Sequence, residues 1–381
     1  MMITCSGRAV STGELIEIQM DGAISRVDPV LEAPPEDVWI SPGFIDLQVN
    51  GFAGADYNSA DTSLEAIAKS LKAMFSTGVT RCFPTVITGA PDRMLAALRN
   101  LARARESLAD GSAMEAFHVE GPHISPDDGP RGAHPQEWVR PPDFAEFEQW
   151  QEAAQGNVRL VTLSPEWPEA CAYIERLARE GVVAAIGHTR ATAAQIRDAV
   201  SAGAALSTHL GNGAHPTLPK SANYIWEQLA EDKLAASFIA DGHHLPDAFL
   251  RAAIRAKGVE RSVLVTDAAA PAMCPAGAYS LGEVAVELKE DGRVVLSGGD
   301  RLAGSSLRMD HAIANALRVA RLSLTEGVTM ATSNPARVGK LRARQCGLQP
   351  GERGDVVRFR LVDGGVEVME TYLAGRRVWG T

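Results

Sequence analysis

The chain has 381 residues, 45% hydrophobic and 22% charged, which suits a soluble globular protein with one large domain and an accessory one, or two to three ordinary domains. A formal net charge of −10 opposes general affinity for nucleic acid or anionic membrane surfaces. No apolar run approaches a membrane span, and "MMITCSGRAV" has neither the basic nor the apolar region of a signal peptide, so a cytoplasmic location is expected.

In chain order, residues 1–40 contain short strand-like pieces, "LIEIQM" and "AISRV", separated by turn residues. Eight short apolar runs follow: 43–49, 79–86, 114–120, 158–164, 182–187, 205–210, 234–240 and 262–268. Amphipathic stretches such as "SLEAIAKSLKAMFSTG" and "ACAYIERLAREG" lie between most of them and end in glycine, as helices often do. The runs lack strict apolar/polar alternation, as expected of parallel strands covered on both faces. Eight strand–helix units over this length predict a (β/α)₈ barrel. A doubly wound sheet would carry a glycine-rich phosphate loop after an early strand, and none is present. Residues 348–381 again alternate strand pieces with Gly/Asp turns. Neither end is long enough to bury a core alone. The termini are therefore expected to pair as a small β-sandwich from 1–40 and 348–381, with the barrel spanning 41–347.

The five cysteines (Cys5, Cys82, Cys171, Cys274, Cys346) are scattered, odd in number and form no C-x-x-C pair. They read as buried, inert thiols of a reduced protein rather than a disulfide framework or a thiolate zinc site.

Catalytic side chains of such barrels come from the C-terminal ends of several strands. Here the third run ends in Glu120, the fifth in His188, the sixth in His209 and the eighth in Asp267. Two imidazoles and a carboxylate make a three-ligand set for catalytic Zn²⁺ or Fe²⁺ with a position left for water. Asp267 would then handle protons. A lone histidine or aspartate at a strand end is more often a satisfied polar residue. Four at the catalytic ends of four different strands favour the metal site.

The motifs "SPGFIDLQVNGFAGADYN", "HVEGPHISP", "RGAHP", "IGHT", "THLGNG", "ADGHHLP", "LVTDAAAP", "AGSSL" and "ATSNPA" occur in this order. Together they resemble N-acetylglucosamine-6-phosphate deacetylases of the amidohydrolase superfamily, from about residue 41 to the end. The resemblance implies a metal-dependent barrel with a small β-sandwich, usually a homodimer. It implies Glu120, His188 and His209 as metal ligands and Asp267 as the catalytic acid/base. His134 matches a histidine at the substrate's acyl group, His244 a substrate histidine, and Asn212 and Gly213 further substrate contacts. Gln48 and Asn50 stand where many amidohydrolases carry an H-x-H pair, and the fourth run has no lysine. Neutral amides are poor ligands, so one divalent metal is expected, Zn²⁺ first and Fe²⁺ as the alternative, with Gln48 hydrogen-bonding near its water. The implied mechanism has Asp267 accept a proton from metal-activated water and return it to the leaving nitrogen.

Some residues depart from the pattern. His123 replaces an aromatic or apolar residue and either lines the substrate pocket or packs in its loop. His118 reads as a core histidine bonded to backbone, and His215 and His311 have no assigned role. Lys220 stands eight residues past Asn212, where the family has an arginine that clamps the sugar phosphate. Lysine can hold phosphate, though as a point charge rather than a fork. Tyr224 and Trp226 could stack on a sugar, but packing is the usual fate of such residues. Two other readings therefore stand: hydrolysis of an unphosphorylated or different N-acyl amine, or an inactive barrel serving as an interaction protein.

Overall fold

The structure is a computed structural model that describes residues 2–30, 37–341 and 347–380. Cys346 lies outside these residues, as does part of the segment that joins the expected barrel to the C-terminal strands.

The eight apolar runs form eight parallel strands: β1 (Phe44–Val49), β2 (Val79–Ile87), β3 (Phe117–Glu120), β4 (Val158–Leu163), β5 (Val183–Ile186), β6 (Leu206–Ser207), β7 (Ala235–Ile239) and β8 (Ser262–Val265). They lie side by side in chain order in one sheet. The sheet closes where Asp267 N–H donates to Gln48 O at 2.9 Å and Val49 pairs with Ala268. Every residue of β1 and β2 is buried, which accounts for the missing alternation.

The intervening helices turn an apolar face to this barrel. In Ala170–Arg179, Tyr173, Ile174 and Leu177 are buried while Arg176 and Arg179 face outward. The helix Ala193–Ala202 starts with a reciprocal Thr192–Gln195 capping box and ends at Gly203, whose φ of 118° a side chain would resist.

β6 is shorter than its 205–210 run. His209 turns to φ 30°, which ends the extended ladder, although Leu210 N–H still bonds Ser237 O at 2.9 Å. The strand is cut so that its histidine can point into the barrel mouth.

The termini meet as expected. Strands Ile3–Ala9, Leu15–Asp21, Ala23–Pro29 and Trp39–Pro42 join Val356–Val362, Gly365–Leu373 and Arg376–Trp379 in one seven-stranded sheet. The two ends of the chain touch where Val357 pairs antiparallel with Ser41. Ile18, Met20, Ile24, Ile40, Val356 and Tyr372 belong to the small core of this sheet. A buried Arg81–Asp355 ion pair, Nε to Oδ2 at 2.8 Å, ties the sheet to β2.

One element was not anticipated. Gly277–Leu281, Val284–Leu288 and Val294–Leu296 form a three-stranded antiparallel sheet after β8. It packs Leu281, Val286 and Val294 over Ile87, Ala269 and Ala303 beside the barrel mouth. Two thiols also depart from the reading: Cys5 and Cys82 are buried, but Cys171 and Cys274 are only half-buried, because their helix and loop positions face the rim of the core.

Candidate active site

The strand ends bring four titratable side chains to one point. Glu120 is the last residue of β3, and His188, His209 and Asp267 each stand two residues beyond β5, β6 and β8. These last three have φ of 48°, 30° and 51°, a region that side chains other than glycine seldom occupy. Strain of this kind persists where the surrounding structure holds a functional group in place.

The donor atoms converge tightly. His209 Nε2 lies 2.9 Å from Glu120 Oε1, His188 Nε2 lies 3.4 Å from that oxygen, and the two Nε2 atoms are 3.1 Å apart. Ligands about 2.0–2.1 Å from a tetrahedral ion stand about 3.3 Å from one another, so these separations match three corners of a zinc-like site. His188 Nδ1–H donates to Pro130 O at 2.9 Å, which leaves its Nε2 as a lone pair facing the other two. Two imidazole nitrogens and a carboxylate oxygen in mutual contact are a donor set suited to a cation. His209 Nδ1 is buried without a hydrogen-bond partner among the described residues. A second grouping, Glu120, His134 and His188, has one donor atom of each within 4.8 Å of the others, but its His134–Glu120 approach is 4.0 Å. The set containing His209 is the tighter one.

Burial alone would raise the Glu120 pKa, but hydrogen bonds and charge from His188 and His209 outweigh it and hold the carboxyl well below its usual range. Asp267 goes the other way. Burial and then the Glu120 charge push it up to about 6, against opposing pulls from His209 and His244. Two carboxyls in one site thus have environments that drive them apart, the pattern expected of a fixed anion and a proton carrier.

Amides at the end of β1 hold Asp267. Asn50 Nδ2–H donates to Asp267 Oδ1 at 2.6 Å, and Gln48 Nε2–H donates both to the same oxygen at 3.1 Å and to Glu120 Oε1 at 2.8 Å. Gln48 therefore bridges the two carboxylates. Asn50 was not assigned a role from sequence, although its place two residues past Gln48 on the same strand face pointed to it.

His134 Nδ1 lies 2.8 Å from Thr88 Oγ1, and burial, then His188, lower its pKa to about 3, so the ring is neutral. His244 is held by Asp241, Nδ1 to Oδ2 at 2.6 Å. A cavity of about 640 Å³ opens over these groups. His134, His188, His209, His244, Asn212 and Asp267 are on its wall, and so is Gly213.

Other residues fall elsewhere. Lys220 is exposed and does not line the cavity. His123 packs in its loop against Trp150 and Tyr173, ring centroids 5.4 and 5.2 Å away, with Nδ1 on Arg140 O. His118 is buried as expected and bonded to the Leu47 backbone, and its Nε2 lies 2.8 Å from the Thr162 hydroxyl. His215, assigned nothing from sequence, does line the cavity, and its Nδ1 is 2.9 Å from Tyr224 Oη. Tyr224 thus supports His215, while Trp226 is 56% exposed. Arg301 also lines the cavity and was missed, since a loop after the three-stranded sheet delivers it.

The amidohydrolase family profile matches residues 39–378, nearly the whole chain. The chain belongs to the amidohydrolase family. The N-acetylglucosamine-6-phosphate deacetylase of Bacillus subtilis (strain 168) is 30% identical over 369 residues, covering 96% of this chain and 91% of that protein. The N-acetylgalactosamine-6-phosphate deacetylase of Escherichia coli O157:H7 is 32% identical over 360 residues, covering 93% and 92%. Among solved structures, a variant N-acetyl-D-glucosamine-6-phosphate deacetylase from Mycobacterium smegmatis in complex with N-acetyl-D-glucosamine-6-phosphate superposes with a TM-score of 0.89 at 29% identity, each chain fully covered. The resemblance read from the motifs is borne out, as is the barrel fold. This amidohydrolase acts on an amide bond, so the reading as an inactive barrel is set aside. Its family's chemistry is metal-dependent, and the convergent donors fit that requirement.

Proposed function

We propose that this amidohydrolase hydrolyses the N-acetyl amide of N-acetylglucosamine-6-phosphate to glucosamine-6-phosphate and acetate. The observation that carries the proposal is the contact of His188 Nε2, His209 Nε2 and Glu120 Oε1, with amide-anchored Asp267 beside it in one cavity. Glu120, His188 and His209 would hold one divalent ion per subunit, Zn²⁺ by preference and Fe²⁺ by the same donors. When bound, such an ion supplies a Lewis acid that makes water nucleophilic near neutral pH.

The chain's own residues do the rest. Gln48 and Asn50 occupy Oδ1 of Asp267, leaving Oδ2 to accept the proton of the attacking water. The same carboxyl, raised to about 6, returns that proton to the nitrogen as the C–N bond breaks. In the tautomer whose Nδ1 accepts from the Thr88 hydroxyl, neutral His134 carries its hydrogen on Nε2 and donates it to the acetyl oxygen. His244, oriented by Asp241, and Asn212 with Gly213 line the wall for the sugar.

Residues 41–347 form the catalytic domain in this reading, and 1–40 with 348–381 the accessory β domain. A homodimer, as the motif resemblance implies, and a cytoplasmic location, as the scattered thiols suggest, complete the proposal. No described helix is long and apolar enough to cross a membrane. The net charge of −10 supports a small-molecule substrate rather than nucleic acid.

A second reading changes only the sugar. Two relatives at 32% and 33% identity are N-acetylgalactosamine-6-phosphate deacetylases, which favours the C4 epimer as an alternative substrate. The deciding experiment is acetate release by the metal-loaded protein from N-acetylglucosamine, its 6-phosphate and N-acetylgalactosamine-6-phosphate. Preference for the first phosphosugar supports the proposal, preference for the second supports the epimer, and no release from any of them refutes both.

A further inference from the structure

Beyond the groups that converge on the ion site, the cavity wall offers a substrate little fixed positive charge. Glu120, Asp267 and Asp300 are carboxylates, and Arg301 is the only lysine or arginine on the wall among the described residues. A phosphosugar carries a near-dianionic group into this space, so it needs a cation close by. Lys220 is exposed and off the wall. We infer that Arg301 is the residue that takes the substrate's phosphate and sets the preference for a phosphorylated sugar. The inference rests on the phosphosugar reading of the site.

The guanidinium is presented for this task. Its backbone is fixed by Leu296 N–H donating to Arg301 O at 2.8 Å and by the antiparallel bridge of Leu302 to Val295. At the far end of the side chain, Nη1–H donates to Asp128 Oδ1 at 2.7 Å and to Gly132 O at 3.1 Å, and Nη2–H donates to Asp128 Oδ2 at 3.2 Å. These bonds use three of the five guanidinium hydrogens. The two left over, on Nε and Nη2, lie in the plane of the group along its free edge and form a fork that matches two phosphate oxygens.

Asp128 aligns that fork without monopolising the charge. Its side chain is 69% exposed and that of Arg301 is 43% exposed, and ion pairs in such positions are weak. A dianion at the free fork competes well with one exposed carboxylate. The alternative is that Arg301 only staples the loop carrying Asp128 and Gly132 to the loop after the three-stranded sheet.

The two roles separate by mutation. kcat/KM is measured for N-acetylglucosamine-6-phosphate and for N-acetylglucosamine in the metal-loaded wild type, R301A, R301K and D128A, with inorganic phosphate as a competitive inhibitor. In R301A the phosphosugar is expected to lose about 10- to 100-fold more than the plain sugar, chiefly through KM, with a parallel loss of phosphate inhibition. R301K recovers part of this as a point charge. D128A breaks the staple and keeps the phosphate preference within about threefold. Undiminished preference in R301A, or an equal loss in D128A, overturns the inference. A wild type that does not distinguish the two sugars overturns the phosphosugar reading itself, and this inference with it.

Discussion

Asp46 lies two residues before Gln48 on β1, fully inside the barrel, and its titration should be visible in the stability of the whole protein. Its Oδ2 accepts from the Thr266 hydroxyl at 2.5 Å, and its Oδ1 accepts from the Thr266 and Gln48 N–H groups at 3.2 Å each. Burial pushes its pKa from 3.8 up to about 7, more than those hydrogen bonds pull it down, and the Asp267 charge adds to the rise. The folded protein therefore binds a proton more tightly than the unfolded chain does. The stability this confers is fully present below pH 3.8 and is lost as pH rises through about 7. At about 1.4 kcal/mol per pH unit, the whole span amounts to about 4 kcal/mol. An amide in place of this carboxyl cannot titrate, so the free-energy difference between wild type and Asp46→Asn isolates the group. Denaturant unfolding at a series of pH values from 4 to 8 should show wild type losing ground to the variant by a few kcal/mol, with a plateau beginning near pH 7. A difference that stays flat across the series would show that Asp46 ionises normally and that the barrel interior solvates it, and one that grows in favour of wild type would show a lowered pKa; either refutes the reasoning.

Three further outcomes test the roles assigned to the site. Asp267→Asn should keep its metal by elemental analysis while turnover falls by about 10²- to 10⁴-fold, and near-normal turnover removes Asp267 as proton carrier. His188→Ala should lose the metal on dialysis, whereas full occupancy would refute the ligand set drawn from the 3.1 and 3.4 Å contacts. Asn50→Ala frees one bond to Asp267 Oδ1 and should lower kcat about tenfold with KM nearly unchanged. A loss confined to KM would instead make Asn50 a substrate contact.

The barrel was legible because each strand is a compact apolar run closed by a turn, and parallel pairing leaves the runs in chain order. That ordering also made Glu120, His188, His209 and Asp267 visible, since a strand end fixes both where a side chain stands and which way the barrel mouth lies. The three-stranded sheet was harder to see: "GAYSL" and "VAVEL" are short, partly exposed and follow the last barrel strand, so local pattern alone assigns them no place. Arg301 and His215 reach the cavity from loops whose course depends on packing against distant segments, and spacing carries no trace of that. Lys220 shows the converse. The resemblance placed Lys220 at the family's clamp position, yet in the folded chain it is exposed and off the cavity wall.

The hydrogen bond from His188 to the Pro130 carbonyl has a consequence for redesign. The same segment, 121–135, carries the proposed substrate contact His134 and supplies the acceptor that orients His188, a proposed ligand of the ion. Its length and its fit to the sugar are thus wired to the basicity of an imidazole on another strand. A loop rebuilt to admit larger acyl groups will also shift how firmly the ion is retained. Selectivity and metal retention in this protein will evolve together rather than as separate traits.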